Sequence, residues 1–423
     1  MVLELGTASA TGIVTFWTYL MFDYKSLLTN RVRQSGAAQV SNIFKAADRP
    51  GVISLSGGLP NPKFFPIDKL IAATEKVMRA DGHNILQYGG SEGYLPLRKW
   101  VAERYCKQGV EVVPEMVVMT SGSLQGMDIT GRTFIEPGDT VLIEAPAFVG
   151  AIQTLLIYQP RFVGVPVAAD GVDVQALGRA ISENPGAKLF EACPSFQNPS
   201  GVLYSQAARD GVAAVVRDQA ILVVEDDPYA ELRFDGSQPV SLRRELGDQC
   251  ITLGSFSKIV SPGMRVGWTV ASRALAPYYA LGKQTTDSHA SNFAQAVIWQ
   301  FLMDNDIDAH IAGINATYKI QRDAMITAIA KYFPPEVKTT VPLGGMFIWA
   351  TMPDDSDAMK MFHDAVDHDL VAVVPGGPFY TDGKHGNHQF RMSYSTVEPG
   401  VIEEGIRRLG RALARHLDAP SAS

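Results

Sequence analysis

Five short apolar runs, each bounded by Gly, Pro or charged residues, limit the architectures open to this chain. They are Val117-Val118-Met119-Thr120, Thr140-Val141-Leu142-Ile143, Leu189-Phe190-Glu191-Ala192, Ile221-Leu222-Val223-Val224 and Ile251-Thr252-Leu253. Most are separated by stretches long enough for a crossover helix, such as Ser205 to Asp218. Strands that alternate with helices and are this apolar predict an α/β fold on a mostly parallel sheet covered on both faces. Ligands of such sheets bind outside the carboxyl ends of the strands. Residues just after the runs are therefore where chemistry is expected.

The pattern changes in the last third. Ile307 to Phe333 has helical periodicity without Pro and reads as a long connecting helix. Strands near Met346 to Ala350, Val371 to Val374 and Arg391 to Ser395 follow, and a helix from Pro399 to His416 closes a smaller α+β domain. The tail Leu417 to Ser423 is expected to fray. A chain of 423 residues exceeds one small core. It is divided here into an arm and the start of the small domain (1–50), a large domain (51–306), and the connecting helix with the small domain (307–423).

Composition narrows the partners. A net charge of −7 argues against a nucleic-acid-binding surface, and 46% apolar residues suit an ordinary globular protein. Cys106, Cys193 and Cys250 are few, odd in number and without metal-ligand spacing, which points to a reducing cytoplasmic compartment and no metal. Cys193 reads as a small buried residue. Leu5 to Phe22 carries no charge, lacks the basic start of a signal peptide, and is interrupted too often by Thr, Ser and Gly for a membrane span. It reads as non-targeting, either an extension ahead of an initiator at Met21 or an arm packing on a partner subunit.

Chemistry concentrates in Gly254-Ser255-Phe256-Ser257-Lys258, with Arg265 seven residues on. A lysine at the end of a buried strand is costly while charged, and a lysine that loses its proton on desolvation forms Schiff bases. The hydroxyls of Ser255 and Ser257 and the fork of Arg265 suit a dianionic phosphate beside that amine. An amine next to a phosphate site is what pyridoxal 5′-phosphate requires.

Upstream stand Asn198-Pro199-Ser200-Gly201 and Glu225-Asp226-Asp227-Pro228-Tyr229, both just after apolar runs. Asn-Pro-Ser-Gly, Asp-x-x-Tyr, Ser-x-x-Lys and the following arginine, in that order, resemble the class I/II aminotransferases of pyridoxal-phosphate fold type I. The likeness runs from about Val52 to the C-terminus. Ser56-Gly57-Gly58-Leu59-Pro60-Asn61-Pro62 and Glu225 to Tyr229 are similar to the branch containing 2-aminoadipate and kynurenine aminotransferases.

The resemblance implies roles residue by residue. Lys258 bonds the cofactor and moves protons, and Asp226, three residues before Tyr229, faces the ring nitrogen. Asn198 and Tyr229 serve the ring's 3′ oxygen. Ser123 and the Leu124 amide, where a strand turns into a helix through small residues, hold the phosphate together with Ser255 and Arg265. Tyr88 resembles the tyrosine that reaches the phosphate of a neighbouring subunit, which implies a homodimer with shared sites. Phe148 stacks on the ring. Arg391, with Asn198, takes the substrate α-carboxylate through its bidentate fork. Gly58, Leu59, Phe347 and the segment Ser35 to Phe44 are candidates for the side-chain pocket. That segment holds no Lys or Arg, which favours a neutral or aromatic donor.

The implied activity is ping-pong transfer of an amino group from an L-amino acid (neutral, aromatic or 2-aminoadipate-like) to a 2-oxo acid such as 2-oxoglutarate or pyruvate. A lyase or racemase on the same scaffold is the alternative, since an electron sink alone does not fix the reaction. The effector-binding half of a transcription regulator is a more distant one, and no recognition-helix pattern precedes Val52.

Overall fold

The structure is a computed structural model, and it describes residues 27–33, 43, 45–234, 240–383 and 385–418. The Leu5–Phe22 stretch with Met21 lies outside them, as do the segment Ser35 to Phe44 apart from Ile43 and the last five residues. Eight strands form the large sheet: β2 (Val117–Thr120), β3 (Thr140–Ala145), β4 (Arg161–Ala168), β5 (Gly171–Val172), β6 (Ala187–Ala192), β7 (Leu222–Asp226), β8 (Cys250–Ser255) and β9 (Gly267–Val270). Their spatial order is β2-β9-β8-β7-β6-β3-β4-β5. Strands β4, β3, β6, β7 and β8 run parallel, whereas β9 lies antiparallel between β8 and β2, and β5 antiparallel at the far edge.

Period-2 alternation explains why the central strands read as continuous apolar runs. Val141, Leu189, Val224 and Ile251 enter one core with Met127, Ile129 and Tyr279 from the helices on that face. Leu142, Phe190, Val223 and Cys250 enter another with Leu177, Val212 and Val216. Both faces are buried, so both sets are apolar. The covering helices begin at side-chain caps: Asp173 accepts from Ala176 N–H at 2.9 Å and Ser205 from Ala208 N–H at 3.1 Å. Each cap contributes on the order of 1 kcal/mol. The expected strands form, except that the run Val371 to Val374 is divided between two sheets, as Val371–Ala372 and Val374–Pro375. Strands β4, β5 and β9 were not foreseen, since Gly and Pro break the β4 run and β9 is a four-residue return from the Lys258 loop.

The smaller sheet is antiparallel, in the order β10 (Lys338–Thr339), β11 (Phe347–Thr351), β14 (Gln389–Ser393), β13 (Val374–Pro375). The helix Ile307–Tyr332 connects the two parts, and Pro399–Asp418 packs against it. Gly410 permits this packing, because a Cβ there would stand 2.3 Å from the Tyr332 carbonyl oxygen. Early in the chain, β1 (Ile53–Ser54) pairs in parallel with β12 (Val371–Ala372). The chain therefore passes through the small part before entering the large sheet, and residues 55–59 run between them. Among the described residues no helix is long and apolar enough to cross a membrane.

Candidate active site

Lys258 stands in a tight turn at the carboxyl end of β8. The Phe256 carbonyl accepts the N–H groups of Ile259, Val260 and Ser261 at 3.3, 2.8 and 3.2 Å. The Phe256 ring is fully buried against Trp268 and Trp100, with ring centroids 4.9 and 5.7 Å away. An anchored aromatic two residues earlier thus fixes the origin of the lysine side chain. The amine donates to the Gly58 carbonyl at 2.9 Å and sits 5.8 Å from the Tyr229 ring centroid. Burial, then the Arg391 charge, push the amine down to about 8, with Asp226 opposing them.

Asp226 ends β7 and is 4% exposed. Burial and the Glu144 carboxylate raise it to about 7, while a hydrogen bond from Ser123 and the Lys258 charge pull it back. Its Oδ1 is buried without a hydrogen-bond partner among the described residues. Asp227, its neighbour, is raised to about 8 by burial and Glu225. Asn198 follows β6; its Nδ2 donates to the Tyr229 hydroxyl at 3.3 Å, and burial holds that phenol above its ordinary value.

The turn from β2 into the helix Ser123–Phe134 passes through Gly122 at φ +88°. A Cβ on Gly122 would lie 2.5 Å from Arg265 Nη2, so glycine is required by both conformation and space. Arg265 Nη2 donates to the Ser121 carbonyl at 2.8 Å. Ser255 Oγ donates to Ser257 Oγ at 2.8 Å and accepts the Ser257 N–H at 3.1 Å. The Ser123 hydroxyl is engaged with Asp226, which leaves its N–H and that of Leu124 at the open first turn. Phe148 caps the next helix with its ring folded over Gly150, where a Cβ would come within 2.4 Å of it. Tyr88 projects with 83% of its surface exposed and its ring edge-on to His289 at 5.8 Å.

Arg391 comes from the small sheet, on β14. It is 5% exposed and lies between the Phe347 and Phe379 rings, 4.3 and 5.2 Å from their centroids. Nη1 donates to Asn198 Oδ1 at 2.7 Å and Nη2 to the Ser56 carbonyl at 2.8 Å, while Nε is buried without a partner among the described residues. Burial lowers the guanidinium to about 10. Gly58 packs on the same arginine, and a Cβ there would meet the Phe347 ring at 3.2 Å. Leu59 is 63% exposed and Phe347 fully buried.

Four features of this region were not read from the sequence. The Ser56 and Gly58 carbonyls hold Arg391 and Lys258, Phe379 stacks on Arg391, and Lys283 with Asp287 and Gln125 backs the Ser121 turn. Two further carboxylates, Glu144 and Glu191, are buried beside Asp226. Acids inside otherwise apolar runs were a usable signal for the last pair. Backbone carbonyls and a lysine at a helix end give none.

The donor set fits pyridoxal 5′-phosphate. A buried carboxylate with an unpartnered oxygen, an amine with a lowered proton affinity, and an arginine with hydroxyls at an open helix turn match a ring nitrogen, an aldehyde and a phosphate. The family model described as aminotransferase class I and II matches residues 51–409. The aromatic-amino-acid aminotransferase 1 of Thermococcus litoralis is 34% identical, over 93% of this chain and 96% of that protein. The α-aminoadipate aminotransferase of Thermus thermophilus, solved with N-(5′-phosphopyridoxyl)-L-leucine, is 36% identical, covers 94% of this chain and 99% of its own, and superposes with a TM-score of 0.85. The kynurenine aminotransferase of Pyrococcus horikoshii is 35% identical over the same shares, with a TM-score of 0.88. This chain belongs to the class I and II aminotransferases, enzymes of fold type I that use pyridoxal 5′-phosphate to transfer amino groups.

Proposed function

We propose that the protein moves the amino group of a neutral, aromatic or 2-aminoadipate-like L-amino acid to a 2-oxo acid such as 2-oxoglutarate or pyruvate. We further propose a cytoplasmic homodimer, with the large cofactor domain in 51–306 and the small domain in 307–423. The observation that carries the substrate class is Arg391, a buried guanidinium with an Nε unpartnered among the described residues, held between two rings and near enough to Lys258 for its charge to lower that amine. An arginine fork so placed suits the α-carboxylate that all amino and 2-oxo acids share. The names of the similar proteins span aromatic, kynurenine and α-aminoadipate donors. The lack of Lys and Arg between Ser35 and Phe44 favours neutral or aromatic side chains.

When bound, the cofactor supplies the electron sink that makes the substrate Cα–H acidic. Asp226, as an anion, holds a proton on the ring nitrogen, and a cation there would in turn draw its raised carboxyl down. Asn198 and Tyr229 donate hydrogen bonds at the 3′ oxygen. The Ser123 and Leu124 N–H groups, Ser255 and Arg265 bind the phosphate, Phe148 covers the ring, and Tyr88 reaches the phosphate of the other subunit. The Lys258 amine, half deprotonated near pH 8, takes the proton from Cα and returns it at C4′. Arg391 and Asn198 fix the carboxylate so that this transfer is aligned. Gly58 shapes the opening beside Arg391.

The test is reconstitution of the purified protein with pyridoxal 5′-phosphate. Visible absorbance that is abolished in Lys258→Ala, and conversion to the pyridoxamine form by amino acid alone, are expected. Release of an oxo acid and ammonia without an acceptor would instead mean elimination.

A further inference from the structure

Lys283 lies in the last turn of the helix Ala276–Gln284 with none of its side chain exposed, and no step of the proposed reaction uses it. A buried lysine is costly unless its charge is met. Its Nζ donates to both Asp287 oxygens, at 2.9 and 3.1 Å, and to Gln125 Oε1 at 2.8 Å. Asp287 Oδ2 also accepts from Gln125 Nε2 at 2.7 Å and from Ser121 Oγ at 3.3 Å. Gln125 Oε1 accepts the Ser121 N–H at 2.8 Å, and the Ser121 carbonyl accepts from Arg265. Ser121 is thus held at its N–H, its hydroxyl and its carbonyl, immediately before the Gly122 turn. Two of those three restraints lead back to Lys283.

The charge of Asp287 poses a problem that its partner resolves. Burial disfavours this carboxylate, but hydrogen bonds from Gln125 and Lys283 outweigh it and hold the group below its ordinary value. It is therefore an anion, within hydrogen-bond distance of a residue in the turn assigned to a phosphate dianion. Alone, it would repel that dianion. Beside Lys283 the pair is neutral.

We propose that Lys283 and Asp287 are positioning residues for the phosphate end of the cofactor: a neutral pair, its lysine fully buried, that anchors Ser121 without presenting net negative charge to the phosphate. The inference rests on the placement of the phosphate at the Thr120–Gly126 turn.

The experiment titrates the ligand-free protein with pyridoxal 5′-phosphate and, in parallel, with pyridoxal, which has the same ring and aldehyde but no phosphate. In Lys283→Met the phosphorylated ligand should bind about tenfold or more weakly, the scale of one lost charge-assisted restraint, while pyridoxal binding stays within about twofold. The double variant Lys283→Met/Asp287→Asn should return to within about threefold of the wild type, because the charge is gone and the amide still meets Ser121 and Gln125. Equal losses for both ligands, no loss for the phosphorylated one, or a double variant no better than the single would each overturn the proposal. Should Lys283→Met not fold, Lys283→Gln, which removes the charge and keeps a donor toward Asp287, should show the same split, and wild-type affinity for the phosphorylated ligand in that variant overturns the proposal as well. A wild type that binds both ligands equally would instead remove the phosphate placement itself.

Discussion

The chemistry at single residues follows from burial set against a few partners. Burial is the largest influence on Lys258, and its amine at about 8 should attack the cofactor aldehyde at a rate that is half-maximal near pH 8 and level above about pH 9. A rate still rising toward pH 10 in stopped-flow mixing of ligand-free protein with cofactor would contradict this. Glu191 is the converse case. It is 1% exposed, neither oxygen has a partner among the described residues, and burial with the Glu144 and Asp226 charges raises it well above its ordinary value. The unfolded chain releases this proton near pH 4.3 and the folded chain holds it far higher, so above that pH the folded state binds more protons. Stability contributed by Glu191 therefore falls as pH rises. Glu191→Gln removes that proton from the balance, and its advantage over the wild type in urea unfolding should grow by up to about 1.4 kcal/mol per pH unit between about pH 5 and 7. A gap independent of pH would mean that Glu191 is ionised in the fold.

At the scale of elements, strand ends and helix starts converge where backbone groups are free. The turn from β2 into Ser123–Phe134 does this with one left-handed glycine and one arginine packed across it. Gly122→Ala should lose about 1–3 kcal/mol of stability from conformation and crowding, and should weaken cofactor affinity by displacing Arg265. Thermal unfolding of the ligand-free protein and a cofactor titration report the two effects separately. Unaltered binding would place the phosphate away from this turn. The segment Leu55–Leu59 is the other junction. Its carbonyls accept from Ser393 N–H at 2.7 Å, from Arg391, from Lys258 and from Ser395 Oγ at 2.7 Å, which ties one extended stretch to residues of both sheets.

In the whole molecule, Arg391 lies on the small sheet and Lys258 in the turn that follows β8 of the large one, and they meet across that stretch. Arg391 already touches Asn198, so a substrate carboxylate bound there would add a partner to an existing junction rather than draw separate parts together. Arg391→Ala should cost roughly 2–5 kcal/mol in kcat/KM for every donor alike and leave cofactor binding intact. A loss confined to one class of side chain would show that Arg391 reads the side chain instead. The exposure of Tyr88 bears on assembly. If it serves a second subunit, Tyr88→Ala and Lys258→Ala should each be impaired alone, and activity should return when the two are mixed and allowed to exchange subunits. Mixtures as inactive as their components would exclude shared sites.

The sequence by itself determined the layered parallel sheet, because two-sided burial demands apolar runs and crossovers demand helices between them. It also pointed to an amine beside an arginine, because Lys258 is a costly residue at the end of a buried run with Arg265 seven residues on, whereas Asp226 and Asn198 were singled out by family resemblance. The tertiary structure alone decided what holds them. The carbonyls of Ser56 and Gly58 carry no side-chain signature, and Lys283 looks in sequence like any helix-ending lysine. The pairing of β1 with β12, which aims those carbonyls at the site, joins residues more than three hundred positions apart, as in Ile53 with Val371. Contacts of that separation depend on how whole elements pack, and no local pattern encodes them.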